Sequence, residues 1–427
     1  MSARSHWQTV WTLLLLLLVP ATVGAQERLK PVLEVSFDEA IDVTGQHLRV
    51  AAVEAQFDAR AKGDRTLSGN RGRLTLEVSP GRRLSPQAEA GTELGLSLTQ
   101  SWNLGDPAGH GRETARAERE VLSAQIRARA LVTRIDAARA WFALRQAEGA
   151  LVLVEEEINT MISLKKLADR ALHAGLSTGS EQAVAQTALV EVRRQALGLE
   201  GVRVRAALDL CVAMGGAPSQ ELKTIGPLPA PGLPSAGILA KLPDRAARLP
   251  QVAIHRLQRV AAIARAAEAK ARAGRKLSFG VLAQRESSGS SLLFGTAGIS
   301  FSGSDQGQRQ RSKSQAKAAW HDKEASLESN ALAAELTDVL HELEHSKEAW
   351  SLATDQVLPA TTRLLERRQR ELAIGEGTLI EVLRSRTLVL QAQRFVADAE
   401  ISRAWAQVHA WLLITEVALV QPKKESL

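Results

Sequence analysis

The feature of this sequence that most constrains its fold is an internal duplication. The residues around Gly175 match those around Gly375 without a gap, at a spacing of 200 positions. Six of the 23 positions from 172 to 194 carry the same residue as the position 200 further along. The identical pairs are Leu172 and Leu372, Gly175 and Gly375, Thr178 and Thr378, Glu181 and Glu381, Thr187 and Thr387, and Arg194 and Arg394. A match of this kind predicts two copies of one structural unit.

Each copy contains a long run that is compatible with a helix, followed by a shorter one. The long runs cover 112–174 and 308–374, and their return segments cover 178–212 and 378–417. A helix of about 60 residues reaches about 90 Å, and such lengths are typical of a coiled coil or a helical barrel. Gly175 and Gly375 separate the two members of each pair. We therefore predict two helical hairpins whose turns use the positive φ that glycine allows.

Two segments with alternating apolar and polar residues precede each long run. Their apolar positions are Leu74, Leu76 and Val78 with Leu94, Leu96 and Leu98 in the first copy, and Leu277, Phe279 and Val281 with Ala297, Ile299 and Phe301 in the second. A period of two predicts strands with one apolar face. Strands of about ten residues can cross a bilayer, but a spanning barrel needs about eight strands or more. Several chains would then share one barrel, and the alternative is a small periplasmic sheet that caps a coiled coil.

The chain divides into five segments on these patterns. They are a signal peptide at 1–25, a first repeat at 26–214 (strands about 72–103, hairpin about 109–213), a linker at 215–250, a second repeat at 251–418 (strands about 276–302, hairpin about 308–417) and a tail at 419–427. An apolar run from Val10 to Val19, followed by Val23-Gly24-Ala25, indicates the signal peptide. The linker holds seven of the 14 prolines, which predicts an extended strap.

Composition excludes several classes of protein. The single cysteine, Cys211, excludes a disulfide framework within one chain and a Cys-rich zinc module. The net charge of +7 is spread without a Lys/Arg block, so we expect no nucleic-acid partner. Tyrosine is absent, and the aromatic residues near the predicted strands are Trp102, Phe279, Phe294 and Phe301. This is sparse for a barrel, which usually carries aromatic girdles at the lipid interfaces.

Several of these segments resemble the TolC-type outer membrane efflux proteins. The stretches Gly175-Leu-Ser-Thr-Gly-Ser-Glu181 and Gly375-Glu-Gly-Thr-Leu-Ile-Glu-Val-Leu383 are similar to the Gly-x5-Asp-Val-Leu pattern at that family's periplasmic hairpins. Pro359 occupies the place of a helix proline in the family's second repeat. The stretch from Gly298 to Gly307 resembles its junction between strand and helix. The order of these motifs and their duplication carry the resemblance, which covers nearly all of 30–420.

The resemblance implies an α+β membrane protein that assembles as a trimer. Each chain would contribute four strands to a 12-stranded β-barrel, continued by a periplasmic α-helical barrel. The implied function is that of an outer membrane channel in a tripartite efflux or type I secretion system. The channel would passively conduct substrates delivered by an inner-membrane pump and a periplasmic adaptor, which would contact the hairpin tips at Gly175 and Gly375. No catalytic residue, cofactor or metal is expected.

The resemblance also implies a gate at the hairpin tips. Glu381 and Arg384 would form charged rings around a three-fold axis, where such rings set ion preference. Glu181 corresponds to a carboxylate that some members use to close the tip. Its usual Tyr and Arg partners are replaced by Leu372 and Gly377. Opening would displace the inner helix pair, Leu364–Leu390, and adaptor contacts would bias that change.

Two other functions are compatible with parts of the sequence. A periplasmic adaptor also combines a helical hairpin with β structure, but it usually has one hairpin where this sequence predicts two. The stretch His341-Glu342-Leu343-Glu344-His345 matches the H-E-x-x-H pattern of zinc metalloproteases. The metalloprotease interpretation lacks a further histidine ligand after His345, and a long smooth helix offers no cleft for a substrate.

Overall fold

The structure is a computed structural model that describes residues 33–65, 73–85, 88–175, 179–216, 222–285, 290–300 and 305–419. The segment proposed as a signal peptide, 1–25, lies outside these ranges. So does the C-terminal tail after Leu419. Among the helices that are described, none is both long and apolar enough to cross a membrane.

The first half of the chain contains four helices and three strands. They are β1 (Leu33–Val35), α1 (Phe37–Asp42), α2 (Leu48–Arg65), β2 (Arg73–Ser85), β3 (Ala88–Asn103), α3 (Pro107–His173) and α4 (Gly179–Ala213), with a 3-10 turn at Val43–Gln46. Helix α3 extends for 67 residues, which corresponds to about 100 Å. Asp106 caps its start, because the side-chain Oδ1 accepts from the Gly109 amide at 3.0 Å.

The second half repeats this order. It contains α6 (Pro250–Arg272), β5 (Lys276–Arg285), β6 (Ser291–Ser300), α7 (Asp305–Leu352), α8 (Leu358–Ala373) and α9 (Leu379–Leu419). A π-helical turn at Ala353–Val357 joins α7 to α8. Pro359 explains this irregularity, because proline has no N–H to donate to the carbonyl of Asp355 four residues earlier. The long helical run therefore continues across the proline with one irregular turn.

The segment between the halves is more structured than the predicted extended strap. It contains β4 (Leu222–Thr224), a short helix α5 (Ala236–Leu239) and a 3-10 helix at Pro243–Arg248. Strand β4 pairs in parallel with β1, with Leu33 opposite Leu222 and Val35 opposite Thr224. This pairing joins residues that are far apart in the chain, so local patterns could not predict it. The strand is also held to α3, because the Thr224 amide donates to Glu148 Oε1 at 3.1 Å.

The main sheet has the order β2-β3-β5-β6, and all its neighbours are antiparallel. Strands β2 and β6 are its two edges. The helices form a layer beside it, in which α2 contacts α3, α3 contacts α6, and α6 contacts α7. Further from the sheet, α4 packs on α3, and α9 packs on α3, α7 and α8. In a single chain, the sheet and the helical layer are therefore both open, and each ends in two edges without a neighbouring element among the described residues.

The largest core lies where α1, α3, α4 and α9 meet. Trp141 is fully buried there and donates from Nε1 to the carbonyl of Val35 at 3.2 Å. Phe37 packs edge-on against it, with ring centroids 5.5 Å apart. Phe142 and Trp405 extend the aromatic cluster. Cys211 belongs to the same apolar core, and burial raises the pKa of its thiol. These contacts fix β1 and the linker against the helical layer.

Candidate channel wall and hairpin tips

The strand register brings the apolar residues of four strands onto one face of the sheet. Leu98 lies opposite Leu76 on β2 and opposite Val281 on β5. The next ladder position in β5, Phe279, lies opposite Ala297 on β6. The large apolar residues of this face are Leu74, Leu76, Val78, Leu94, Leu96, Leu98, Trp102, Leu277, Phe279, Val281, Leu293 and Ile299. Most of them are exposed in the single chain, with Leu76 at 63% and Leu293 at 75%. An exposed apolar band of this extent is typical of a surface that contacts lipid or protein.

The opposite face of the sheet is mostly polar. Its residues include Thr75, Glu77, Ser79, Ser97, Thr99, Ser101, Ser278, Gln284 and Thr296. Positions of this face in β3 and β5 are less exposed than their neighbours on the apolar face. One sheet therefore carries a mostly polar face and an apolar face back to back.

Five of the six predicted strand residues share the apolar face. They are Leu94, Leu96, Leu98, Ala297 and Ile299. Phe301 lies outside the described residues. Two aromatic candidates also lie on this face, where the rings of Trp102 and Phe279 are 6.0 Å apart. Phe294 lies on the polar face instead, opposite Leu282, so the register separates it from Trp102 and Phe279.

The two hairpin glycines have the backbone conformation that their position requires. The φ of Gly175 is +70° and that of Gly375 is +80°. Each amide donates to the carbonyl three residues earlier, at 3.0 Å to Leu172 and at 3.1 Å to Leu372. A side chain at positive φ would be strained, and this explains glycine at both turns. The predicted positive φ values are confirmed.

Glu381 makes two sets of contacts within the second hairpin. Its Oε2 accepts from the Thr378 amide at 3.1 Å, while its own amide donates to Thr378 Oγ1 at 3.3 Å. This reciprocal pair is a capping box at the start of α9. Its Oε1 also lies 3.6 Å from Arg368 of α8. Glu381 therefore stabilises the hairpin itself, and the sequence T-x-x-E around Thr378 carried the signal for the cap.

The other two predicted tip residues lie near helix starts. Arg384 is exposed, one turn after Glu381 on α9. Glu181 is half-buried in the first turn of α4. Glu381 and Arg384 therefore lie on one helix, at the start of the second hairpin's return segment.

The two helices of the first hairpin are also joined by side-chain hydrogen bonds, which were not predicted from the sequence. Gln182 of α4 donates to Asp169 Oδ1 of α3 at 3.0 Å, and Lys165 donates to Oδ2 of the same carboxylate at 2.8 Å. These hydrogen bonds hold the pKa of Asp169 below its usual value. The two hairpins thus use different residues at the same level to join their helices.

Leu372 and Gly377 fill the positions where the family's closing network has polar residues, and each has a structural role. Leu372 packs between two apolar clusters at the tips, one containing Met161 and Leu379 and the other containing Leu365. A Cβ on Gly377 would lie 3.0 Å from the Leu372 amide nitrogen, which is too close for any side chain without a shift. Any side chain at 377, arginine included, would therefore need the backbone at Glu371 and Leu372 to shift by a few tenths of an ångström.

A buried ion pair joins the second hairpin to the first. Arg394 of α9 donates from Nη2 to Glu157 Oε2 of α3 at 2.6 Å, and from Nη1 to Gln195 Oε1 of α4 at 3.3 Å. Arg386 donates to Thr160 Oγ1 at 3.5 Å, closer to the tip. Burial raises the pKa of Glu157, although Arg394 and Arg386 act in the opposite direction. Sequence reasoning missed this pair, because its members are 237 positions apart.

The H-E-x-x-H segment lies on the surface of α7. His341 and His345 are exposed, and their rings stack 6.2 Å apart. Partial burial raises the pKa of Glu342, and nearby Asp338 acts in the same direction. Across the described residues, no group of three or more His, Cys, Asp or Glu side chains could hold a metal ion.

Solved outer membrane channels have the same fold. The outer membrane protein VceC from Vibrio cholerae matches with a TM-score of 0.65 and 17% identity, over 89% of this chain and 95% of VceC. The CmeC outer membrane channel of Campylobacter jejuni matches with a TM-score of 0.68 and 13% identity, over 89% and 85%. The MtrE outer membrane channel of Neisseria gonorrhoeae matches with a TM-score of 0.60 and 15% identity, over 88% of each chain. No protein-family model and no curated protein matches the sequence. The chain therefore has the fold of the TolC-type outer membrane channels, as its motifs predict.

Proposed function

We propose that this protein belongs to the TolC-type efflux proteins and is an outer membrane channel of a Gram-negative bacterium. Three copies would form one 12-stranded barrel in the membrane and one helical tunnel in the periplasm. The observation that carries this proposal is the four-stranded sheet, whose apolar face is exposed and whose edges, β2 and β6, are open. Open edges are not tolerated in lipid, so such a sheet needs further copies to close it.

The helical layer supports the same assembly. One face of α4 carries an exposed apolar stripe at a spacing of seven residues, formed by Val190 (54%), Leu197 (78%) and Val204 (43%). A seven-residue spacing is the pattern of a helix that packs against another helix. Among the described elements, α4 packs mainly on α3, so this stripe has no partner within the chain. A neighbouring copy that pairs β2 with β6 would also bring a helix to this side.

The channel would act without chemistry of its own. An inner-membrane pump would supply the energy, and a periplasmic adaptor would bind around the tips at Gly175 and Gly375. Glu381 and Arg384 would line the constriction, with Glu181 nearby. Opening would displace the inner pair Leu364–Leu390 from α3 and α4. The contact between Arg394 and Glu157 opposes that displacement, because separation would leave a nearly buried carboxylate without its partner.

The alternative functions have weaker support. An adaptor would have one hairpin and a compact β domain, whereas this chain has two hairpins and one extended sheet with an apolar face. A zinc protease would need a third ligand and a cleft beside His341 and His345, which are exposed on a helix.

Membrane fractionation and electrical recording test the proposal. We expect the full-length protein in outer membranes as a heat-sensitive trimer, and stepwise single-channel currents when the purified trimer is added to planar bilayers. A monomer in the soluble periplasmic fraction that gives no currents would contradict the proposal. A zinc-dependent activity lost in His341→Ala would support the enzyme instead.

A further inference from the structure

A cavity lined by arginines lies at the sheet end of the helical layer. Its volume is about 490 Å³, and its lining residues come from the four neighbouring helices α2, α3, α6 and α7. The charged members are Arg60, Glu118, Arg265, Glu268 and Arg272, which we name the arginine cradle. Helix α6 ends at Arg272, a few residues before β5 begins. Arg60 of α2 and Arg265 of α6 both reach Glu118 of α3, so these three helices share one face at the cavity.

The cradle has its carboxylates inside and its guanidinium groups outside. The side chains of Glu118 and Glu268 are only 12% and 15% exposed. The guanidinium-bearing side chains are 49% exposed at Arg60, 45% at Arg265 and 68% at Arg272. Charged donors therefore point toward the open cavity while their counter-ions lie beneath them.

The carboxylates hold the arginines in place without neutralising all of them. Glu118 pairs with both Arg60 and Arg265, and accepts from Arg265 Nε at 2.8 Å. Glu268 pairs with Arg272 one turn away on α6. Three positive and two negative groups leave a charge of +1. A guanidinium has five N–H donors, and one shared carboxylate cannot satisfy the donors of two arginines.

The same surface continues into a neighbouring polar cavity. That cavity has a volume of about 400 Å³ and shares Arg60, Glu118 and Arg265 with the cradle. It adds the amide side chains of Gln56, Gln125 and Gln258, and the ring of His321. These groups supply neutral hydrogen-bond donors beside the arginines and add no carboxylate.

We propose that the arginine cradle binds small free oxyanions, of the sulfate, phosphate or carboxylate class. Preorganised arginines bind such groups with paired, charge-assisted hydrogen bonds. The consequence of this binding rests on the proposed channel. In the trimer, the face of the helical layer that carries the cradle would line the tunnel, and three cradles would form a positive ring just below the barrel. That ring favours anions over cations in the conducting path.

Equilibrium dialysis of the purified full-length protein with radiolabelled sulfate tests the site. We expect saturable binding that weakens at least about tenfold in Arg265→Gln/Arg272→Gln. The matched control is Arg116→Gln, an exposed arginine of α3 that pairs with Glu120 outside the cavity and leaves binding unchanged. Glu118→Gln removes a competing negative charge but keeps a side-chain oxygen that can accept from Arg265 and hold it in place. This variant should therefore strengthen binding, an effect that misfolding cannot produce. Wild-type protein without saturable binding, or a double variant that binds as well, would overturn the site.

Reversal potentials in a KCl gradient test the consequence. We expect the reversal potential of the double variant to shift toward cation selectivity, and that of Glu118→Gln to shift toward anion selectivity. Channels that bind sulfate at the cradle and show neither shift would overturn its location on the conducting path. Anionic phospholipid that co-purifies with the wild type and is lost in the double variant would overturn the assignment to free anions. Protein that forms no channels would refute the proposed function, while the dialysis result would still decide the site.

Discussion

Arg394 and Glu157 join α9 to α3 through a hydrogen bond of 2.6 Å, and the Glu157 side chain is only 6% exposed. The repeat-related residue, Arg194, also binds a carboxylate at 2.6 Å, but its partner is Glu191 on the same helix. The same position of the repeat therefore makes different contacts in the two copies. In the first copy it is an exposed local pair, and in the second it connects the hairpins.

Removal of Arg394 should destabilise the protein strongly. Arg394→Leu leaves the Glu157 carboxylate buried without its main partner, which typically costs about 3 kcal/mol or more. The matched Arg194→Leu removes an exposed pair and should leave the unfolding midpoint nearly unchanged. Thermal unfolding of the two variants measures the difference. Adding Glu157→Gln to Arg394→Leu should recover much of the loss, and equal midpoints for both single variants would contradict the assignment.

Alanine should have opposite effects at two glycines. Gly375→Ala places a Cβ at a φ of +80°, which costs roughly 1–2 kcal/mol. Gly149 lies inside α3, and no neighbouring atom comes within 4 Å of the place that a Cβ would take there. Gly149→Ala should therefore stabilise the helix by about 0.5–1 kcal/mol. Thermal melts in the same detergent compare the two. A stabilised Gly375→Ala would show that the turn does not need its left-handed conformation.

Stability should fall at acidic pH through His409. Burial, and to a lesser extent Arg139, lowers the pKa of His409 from 6.5 to about 4. The folded protein keeps this histidine neutral, while the unfolded chain binds a proton below about pH 6.5. Stability should therefore decrease as the pH falls from about 6.5 to about 4, by up to roughly 3 kcal/mol. His409→Phe should flatten that part of the profile of melting temperature against pH. The exposed His345→Gln should keep the slope, and an unchanged slope in His409→Phe would exclude His409 as its cause.

A charge on the apolar stripe of α4 should prevent assembly. Leu197 is 78% exposed in the single chain and would be covered by a neighbouring copy. Leu197→Glu should convert the heat-sensitive trimer to monomer on semi-native gels, because an unpaired buried charge is costly. Glu191→Lys changes the charge by two units at an exposed position on α4, about a third of a turn away from the stripe, and should retain the trimer. Trimer yield at the wild-type level in Leu197→Glu would remove this stripe from the interface.

Charge-neutral variants at the second hairpin should change ion selectivity. Glu381→Gln keeps an oxygen that can accept from the Thr378 amide, so the cap survives while the charge is lost. From reversal potentials in planar bilayers, we expect the ion selectivity to shift toward anions in Glu381→Gln and toward cations in Arg384→Gln. Glu376→Gln, in the same turn, is the matched control. Equal shifts of the reversal potential in all three variants would show that Glu381 and Arg384 line the constriction no more closely than Glu376 does.

Local rules were sufficient where the chain contacts its near neighbours. The glycines at 175 and 375 and the period of two in β3 follow from backbone freedom and side-chain spacing. The cap formed by Thr378 and Glu381 is equally local, although it was not predicted. Each of these effects acts within a few residues, so its pattern is visible in one sequence. The π-helical turn before Pro359 belongs to the same class, although its form was not predicted.

Contacts between segments that are distant in the chain were not predicted from the sequence. The pairing of β1 with β4, the ion pair of Arg394 with Glu157 and the arginine cradle all join residues far apart in the chain. Phe294 shows the same limit within the sheet. Its strand was predicted, but the register with β5 decided that its ring lies on the polar face.

Two related halves, each with a strand pair and a long helical hairpin, could be predicted from the residues alone. Periodicity and turn residues carry that information because they act on the backbone locally. Only the tertiary structure decided which helices are neighbours, which charges are buried together and which side of the layer holds the cavity. Those relations depend on how elements pack, and packing energy is shared among residues that no local pattern brings together.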